Sequence, residues 1–309
     1  MDGTLKVEVQ MPKYVSPGER YTIKTSGIEA PDGTAVGYYF SSSANNDRRD
    51  TLLSSSPTYV YEVPDTLGYF AMSIVAFPVE SSDKYYVSIS SFNFTIVKDD
   101  QFKGSITNVL PRGDESSEEL FGRSYYIVNA GGREWIRSNL CRVDRDSDGN
   151  RTFGIPYADC VAMQNIFGAY YTWEEAVAAC PSGWHLPSDA EWVALLKESG
   201  APAVLQPLES SPSGAGKLMV KGFFNGSEMW SYYRGVNITD ASISALPVGY
   251  AMINEDAWEF IGYQEYAVFW TADEYNGQGV YRYIYKENDN VYVGSADKKA
   301  FAASVRCVR

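Results

Sequence analysis

An all-β sandwich followed by an α+β domain is the fold the sequence predicts, and three observations carry it. The chain has 309 residues, more than one ordinary domain of ~100–200 residues requires. Up to residue 98, short runs of alternating apolar residues recur between turn signals. Beyond residue 120 the pattern changes, and two helix-capping boxes appear.

In the first part, residues 5–9, 21–25, 36–41, 58–62, 69–77 and 85–97 read as strands. Ser16-Pro17-Gly18, Pro31-Asp32-Gly33, the polar run 41–49 and the stretch 64–68 separate them. Strands at this spacing specify a sandwich, because each buries one face only. Residues 99–120 are rich in Gly, Asp, Glu and Ser and read as a linker, with 105–110 able to form a short strand. The domain boundaries are therefore 1–98 and 121–309.

In the second part, Thr172 and Glu175 form a capping box ahead of Trp173, Ala176, Val177 and Cys180 at helical spacing. Ser188 and Glu191 form another, followed by Trp192, Leu195 and Leu196, with Pro187 placed to pack on Trp192. Residues 200–266 read as long loops. Residues 268–272, 280–285, 291–295 and 303–308 read as closing strands.

The 26 Lys and Arg against 39 Asp and Glu leave a formal charge of −13. Such a surface repels phosphate backbones and anionic lipid but leaves cation binding open. No apolar run reaches the roughly 18 residues of a membrane span; the best, 68–79, is broken by Ser73 and Pro78. The chain opens Met-Asp-Gly-Thr without a basic and apolar leader, so a signal or lipoprotein peptide is expected to be absent or already removed.

Tyrosine is frequent, 24 residues, and occurs in five adjacent pairs: Tyr38-Tyr39, Tyr85-Tyr86, Tyr125-Tyr126, Tyr170-Tyr171 and Tyr232-Tyr233. Neighbours on a strand point to opposite faces, so such a pair sends one ring inward and one outward. Outward rings serve binding; packing on β surfaces is the plainer use.

The sharpest chemical pattern is Asp144-Arg145-Asp146-Ser147-Asp148-Gly149-Asn150. Carboxylates at alternate positions with Gly sixth resemble the first half of an EF-hand loop and could aim several oxygens at Ca2+. Ile155 stands where the distal Glu belongs, and Asp159 lies just beyond as a substitute. The expected structural calcium ligands are Asp144, Asp146, Asp148, Asn150 and Asp159. The alternative is a solvated acidic loop beside Arg142, Arg145 and Arg151.

Gly132-Arg133-Glu134-Trp135-Ile136-Arg137-Ser138-Asn139-Leu140, Cys180-Pro181-Ser182-Gly183-Trp184-His185-Leu186-Pro187-Ser188-Asp189-Ala190-Glu191-Trp192, Ala245-Leu246-Pro247-Val248-Gly249-Tyr250, Phe269-Trp270-Thr271-Ala272 and Ser304-Val305-Arg306-Cys307-Val308 follow one another over residues 121–309. In this order they resemble the Fibrobacter succinogenes major paralogous (FISUMP) domain. The resemblance implies a C-type-lectin-like fold, export, and an outer-surface, often lipid-anchored location. It does not imply an activity. Residues 58–61 and 68–74 are similar to the late strands of immunoglobulin-like and polycystic-kidney-disease-type domains, without the latter's Trp-Asp-Phe-Gly-Asp-Gly turn.

The resemblance also implies that Cys180 and Cys307 meet, since lectin-like folds staple a helix to the terminal strand there. Cys141 and Cys160 remain for a local bridge, although four cysteines allow three connectivities and four free thiols are a further possibility. His185, the single histidine, sits between Trp184 and Leu186 and reads as structural. Residues 186–192 are similar to the helix-start motif of formylglycine-generating sulfatase modifiers. Those enzymes use a close cysteine pair, and Cys307 stands alone here.

No nucleophile, acid–base pair or metal cluster at catalytic spacing is legible, so a non-enzymatic surface binding protein is expected, recognising glycan or a surface protein. Its candidate binding residues are Trp230, Tyr232, Tyr233, Asn254, Asp256, Trp258, Tyr263 and Tyr266, because aromatics stack on sugar rings while amides and carboxylates take hydroxyls. The Glu-Pro-Asn, Gln-Pro-Asp and Trp-Asn-Asp tripeptides of calcium-dependent lectins are absent, and Glu209-Ser210-Ser211-Pro212 does not replace them. The alternative is a structural adhesin or pilus-tip assembly subunit.

Overall fold

Alternation explains the first unit. In the strand Gly68–Pro78, Met72, Ile74 and Ala76 are fully buried while their neighbours are partly exposed, the period of two of a one-sided sheet. The computed structural model describes residues 4–9, 11–28, 33–45, 56–80, 87–98, 104–107, 112–113, 115–230 and 236–309. They fall into two units, Met1–Lys98 and Asp99–Arg309, both built mainly of strands.

The first unit holds a three-stranded sheet, in the order Lys6–Glu8, Arg20–Ser26, Thr58–Glu62, and a four-stranded one. The latter runs Tyr14–Val15, Ser88–Ile96, Gly68–Pro78, Val36–Ser42, with Tyr14–Val15 parallel to its neighbour. Ile23 and Tyr61 from one sheet and Phe40, Ile74 and Phe94 from the other share a single core. The buried Tyr61 hydroxyl keeps a partner, Ser42 Oγ at 3.0 Å, as buried polar groups must.

The second unit is organised on an eight-stranded sheet. Its main path runs Ile155–Pro156, Ala169–Thr172, Phe301–Ser304, Tyr266–Tyr275, Gln278–Tyr285, Val291–Ala296, and the hairpin Tyr250–Asn254/Ala257–Ile261 joins through Phe301–Ser304. Both capping boxes form, starting the helices Trp173–Ala176 and Asp189–Glu198. The first helix is a single turn, shorter than its pattern to Cys180 suggests. Tighter bonds, Ala178 N–H to Glu175 O and Ala179 N–H to Ala176 O, carry the chain onward. The helix Val161–Phe167 and the hairpin 250–261 fall where the sequence showed no clear period.

Cys180 and Cys307 are disulfide-bonded, with Cα atoms 5.7 Å apart. The chain end is also held by backbone pairing of Val308 with Trp135 and His185. Cys141 and Cys160 do not bridge; both are buried thiols. Each is lodged in its own setting, Cys141 Sγ 3.0 Å from the Tyr125 hydroxyl and Cys160 capping Val161–Phe167 with its thiol on Ala158 O.

The expected linker is also corrected. Within 99–120, Ile106–Thr107 pairs with Phe223–Phe224, and Ser117–Leu120 pairs with Arg123–Ala130. Arg112 bonds Asp240 at 2.6 Å, and Glu115 meets the buried Arg137 at 2.5 Å. Polar composition suggested a solvated tether, but Arg112 is the partner of the Asp240 carboxylate and Glu115 that of the buried Arg137 guanidinium.

Candidate functional site

Two recesses of the second unit collect aromatic side chains. The first lies beside the hairpin 250–261, whose register sets Ile253 opposite Trp258 and Asn254 opposite Ala257. Trp258, Phe260 and Asp256 face Arg151, Ala158 and Asp159 across a cavity of about 410 Å³. Ala158 and Asp159 sit in a 3-10 turn with φ of 54° and 52°. Two consecutive non-glycine residues in the left-handed region are costly, a cost the surrounding packing bears. That packing is aromatic: Tyr157 lies 5.2 Å from Phe260, 5.3 Å from Phe167 and 5.9 Å from Tyr263. The recess thus offers an indole, two carboxylates and a guanidinium, a set able to take a ligand with one apolar face and several hydroxyls.

Of the sequence-derived binding residues, Asp256 and Trp258 line this recess. Tyr263 stacks on Phe167 at 5.5 Å and reaches the recess only through Tyr157. Asn254 turns to Glu259, donating from Nδ2 at 2.8 Å. Trp230 is 2% exposed, its indole N–H donating to Ala245 O at 3.0 Å, and it borders a separate cavity of about 280 Å³ with Phe223, Glu228 and Asn237. Tyr232 and Tyr233 lie outside the described residues.

The acidic loop is a hairpin turn between Asp144–Arg145 and Arg151–Phe153. Asp146 Oδ1 accepts from the Asp148 and Asn150 amides at 3.0 and 2.9 Å, and Oδ2 accepts from Asn150 Nδ2 at 3.2 Å. These bonds, the Asn150 side chain first, hold the Asp146 carboxyl below its ordinary range. Asp144 is forked on Arg142, with 2.6 Å from Nη2 to Oδ2. Asp159 lies in the Trp258 recess instead. The five expected calcium ligands do not converge, and no group of three or more His, Cys, Asp or Glu residues is set to hold a metal among the described residues. Asp146 bonds local amides, and Asp144 bonds the Arg142 guanidinium.

His185 is half exposed. Its Nε2 lies 3.1 and 3.2 Å from the two Glu191 oxygens, and its backbone pairs with Val308. Burial would raise the Glu191 carboxyl, but bonds from Ser188 and His185 outweigh it and bring it below the ordinary value. The histidine is thus part of a helix cap and a chain-end clasp.

The second recess escaped the sequence reading except for Tyr266. It is a cleft of about 390 Å³ on the large sheet, lined by Tyr250, Tyr266, Tyr281, Tyr283 and Phe301, with Met252, Val268 and Ala296. A period-two signal was available: Tyr281, Tyr283 and Tyr285 alternate with the buried Arg282 and Ile284. Gly294 opens space above the sheet, since a Cβ there would come within 2.6 Å of the Tyr281 ring. Burial first, then neighbouring phenols, pushes the Tyr281 and Tyr283 hydroxyls up, so they remain neutral donors at ordinary pH.

No curated protein matches this chain. Residues 128–309 match the family described as the Fibrobacter succinogenes major domain, and this chain, with more than half its length in that match, belongs to that family.

Proposed function

We propose that this protein is a non-enzymatic binding protein of the cell surface that takes a glycan in the Trp258 recess. The observation that carries the reading is the convergence of Trp258, Asp256, Asp159 and Arg151 on one cavity. An indole covers the apolar face of a pyranose while carboxylates and a guanidinium take its hydroxyls. Export is supported by the Cys180–Cys307 disulfide, a bond that persists in oxidising compartments. Binding is favoured over catalysis because Cys307, the residue nearest to the cysteine pair of the formylglycine-generating enzymes, is tied in that bond.

The finer fold reading is part of the proposal. The first unit is read as immunoglobulin-like, because two sheets share one core. The second is read as C-type-lectin-like, on the staple between the segment after Trp173–Ala176 and the chain end. A glycan array run with the native protein and Trp258→Ala tests the function. Signals that fall about fivefold with the variant are expected, as a lost stacking ring is worth ~1 kcal/mol. An array that stays blank, or signals the variant leaves unchanged, would overturn the reading.

Assembly or adhesion through protein contacts is a second reading, favoured by one observation. Ile89, 66% exposed, pairs across the strand with Val75, which pairs in turn with Tyr39 on the outer face of the first unit's larger sheet. An exposed apolar residue continued by the half-buried Val75 and Tyr39 on an outer sheet face favours a contact surface.

A further inference from the structure

The Trp258 recess holds an excess of negative charge that is free to meet a ligand. Its walls carry Asp159, Asp256 and one cation, Arg151. The cation is turned elsewhere: Arg151 Nη1 lies 3.8 Å from Glu175 Oε1 and donates to Gly154 O at 3.3 Å. Both aspartates are exposed, and among the described residues neither carboxylate accepts a hydrogen bond or forms an ion pair. They come from different turns, Asp159 from the 3-10 turn Tyr157–Asp159 and Asp256 from the tip of the hairpin 250–261, and the Tyr157 and Phe260 rings, 5.2 Å apart, hold these segments together. The hairpin adds Glu255 and Glu259, both exposed, and contains no Lys or Arg. On an open loop such charge would only be solvated. Here it borders a cavity of about 410 Å³ with the half-buried Trp258 indole and Phe260 in its walls.

We propose that the sugar taken in this recess is an amino sugar with a free, protonated amine, an inference that rests on the glycan reading and narrows it. An ammonium on a pyranose donates to the Asp159 and Asp256 carboxylates in charge-assisted hydrogen bonds, roughly twice as strong as those a neutral hydroxyl makes. The indole meanwhile covers the apolar face of the ring. A neutral sugar would leave the excess charge unmatched. An acidic sugar would face two carboxylates and would have to draw Arg151 away from Glu175. An N-acetylated amine has lost the charge that the carboxylates select. The formal charge of −13 on the whole chain works in the same direction, concentrating cations near the surface and repelling acidic glycans.

The test is a calorimetric titration of the full chain with three tetrasaccharides of one backbone: cellotetraose, chitotetraose and fully deacetylated chitotetraose. They differ in carrying a hydroxyl, an acetamide or an ammonium at the second carbon of each ring. At mildly acidic pH, where the amine is protonated and the carboxylates are ionised, the deacetylated form should bind about tenfold more tightly than the other two. Asp159→Asn and Asp256→Asn should each cut that preference about threefold and leave cellotetraose unchanged, since an amide oxygen still accepts from a hydroxyl. Each variant changes the chain charge of −13 by one, so an effect of that size is local. Trp258→Ala should weaken the deacetylated form about fivefold. Near-ultraviolet circular dichroism checks folding, and if one aspartate variant fails to fold the other decides. Equal binding of all three sugars, weakened by Trp258→Ala, would overturn the amine and keep the glycan reading. Binding of the deacetylated form that Trp258→Ala leaves unchanged would be adsorption to the acidic surface and would overturn the proposal, as would a preference that survives in a folded aspartate variant. If none of the three binds, the proposal also fails; Trp258-dependent signals for other sugars on the glycan array would then keep the glycan reading, and a blank array would remove both.

Discussion

Asp189 and Arg282 meet as a forked ion pair, Oδ1 to Nε at 2.6 Å and Oδ2 to Nη2 at 2.7 Å, with no solvent exposure on either side chain. The pair fastens the first residue of the helix Asp189–Glu198 to the centre of the large sheet. Its spare positions are filled: Asp189 Oδ2 accepts the Leu208 amide, and Arg282 Nη1 donates to Glu209 O. Desolvation is thus compensated by several charge-assisted bonds rather than by one.

Removing one partner strands the other charge in the interior. Asp189→Ala is expected to destabilise the second unit by roughly 3–5 kcal/mol, read from urea unfolding followed by tryptophan fluorescence. An Asp189→Ala, Arg282→Met double variant should lose less than the sum of the single losses, because no orphan charge is left.

The disulfide closes a loop with a sequence separation of 127. Its removal by Cys180→Ala with Cys307→Ala should cost about 4–5 kcal/mol if chain entropy dominates. A thiol count on the unaltered protein should find two reactive cysteines after unfolding and almost none before it, since Cys141 and Cys160 are buried.

Glu115 supplies the counter-charge to Arg137, and Arg112 that to Asp240. A fragment starting at 121 should therefore melt lower than one starting at 99, by an amount equivalent to roughly 3–5 kcal/mol for the uncompensated Arg137. Differential scanning calorimetry of the two fragments checks this. Equal melting temperatures would mean that the segment merely lies on the surface.

Asp146 closes the acidic hairpin, and its carboxyl titrates below its ordinary range because Asn150 and the loop amides bond the charged form. A depressed folded value means that its contribution is complete above the unfolded pKa of about 3.9 and is lost as pH falls through the folded value. The Asn150 amide resonance should shift in that acid window, and in Asp146→Ala the shift should vanish. Calcium at millimolar concentration should leave the melting curve unchanged, since binding would require Asp146 to give up those donors.

How much was legible in the sequence follows from the range of each interaction. Thr172 with Glu175 and Ser188 with Glu191 cap their helices as read, because a capping box is closed by residues three positions apart. The strand alternation around Met72, Ile74 and Ala76 is equally local. The Cys180–Cys307 contact came from the family motif, and tertiary packing alone decided that Cys141 and Cys160 stay apart. Trp230 and Trp258 looked alike in sequence. Trp230 is 2% exposed with its N–H on Ala245 O at the back of one cavity, and Trp258 is half-buried beside another, because burial depends on neighbours distant along the chain.

The same holds for charge and for the tyrosine cleft. Asp144, Asp146 and Asp148 matched a cation loop by spacing, and in three dimensions a guanidinium bonds Asp144 and loop amides bond Asp146. Arg306 reads as an ordinary basic residue of the last strand. It is wholly buried and donates to Asn139 Oδ1, Ile243 O and Ser244 O, partners up to 167 residues away. The alternation of Tyr281, Tyr283 and Tyr285 could place three rings on one face. Only the pairing of their strand with Tyr266–Tyr275, and the stacking of Phe301 between Tyr250 and Tyr281 from other strands of the sheet, builds the cleft, because cross-strand register is set by the whole sheet and not by any one segment.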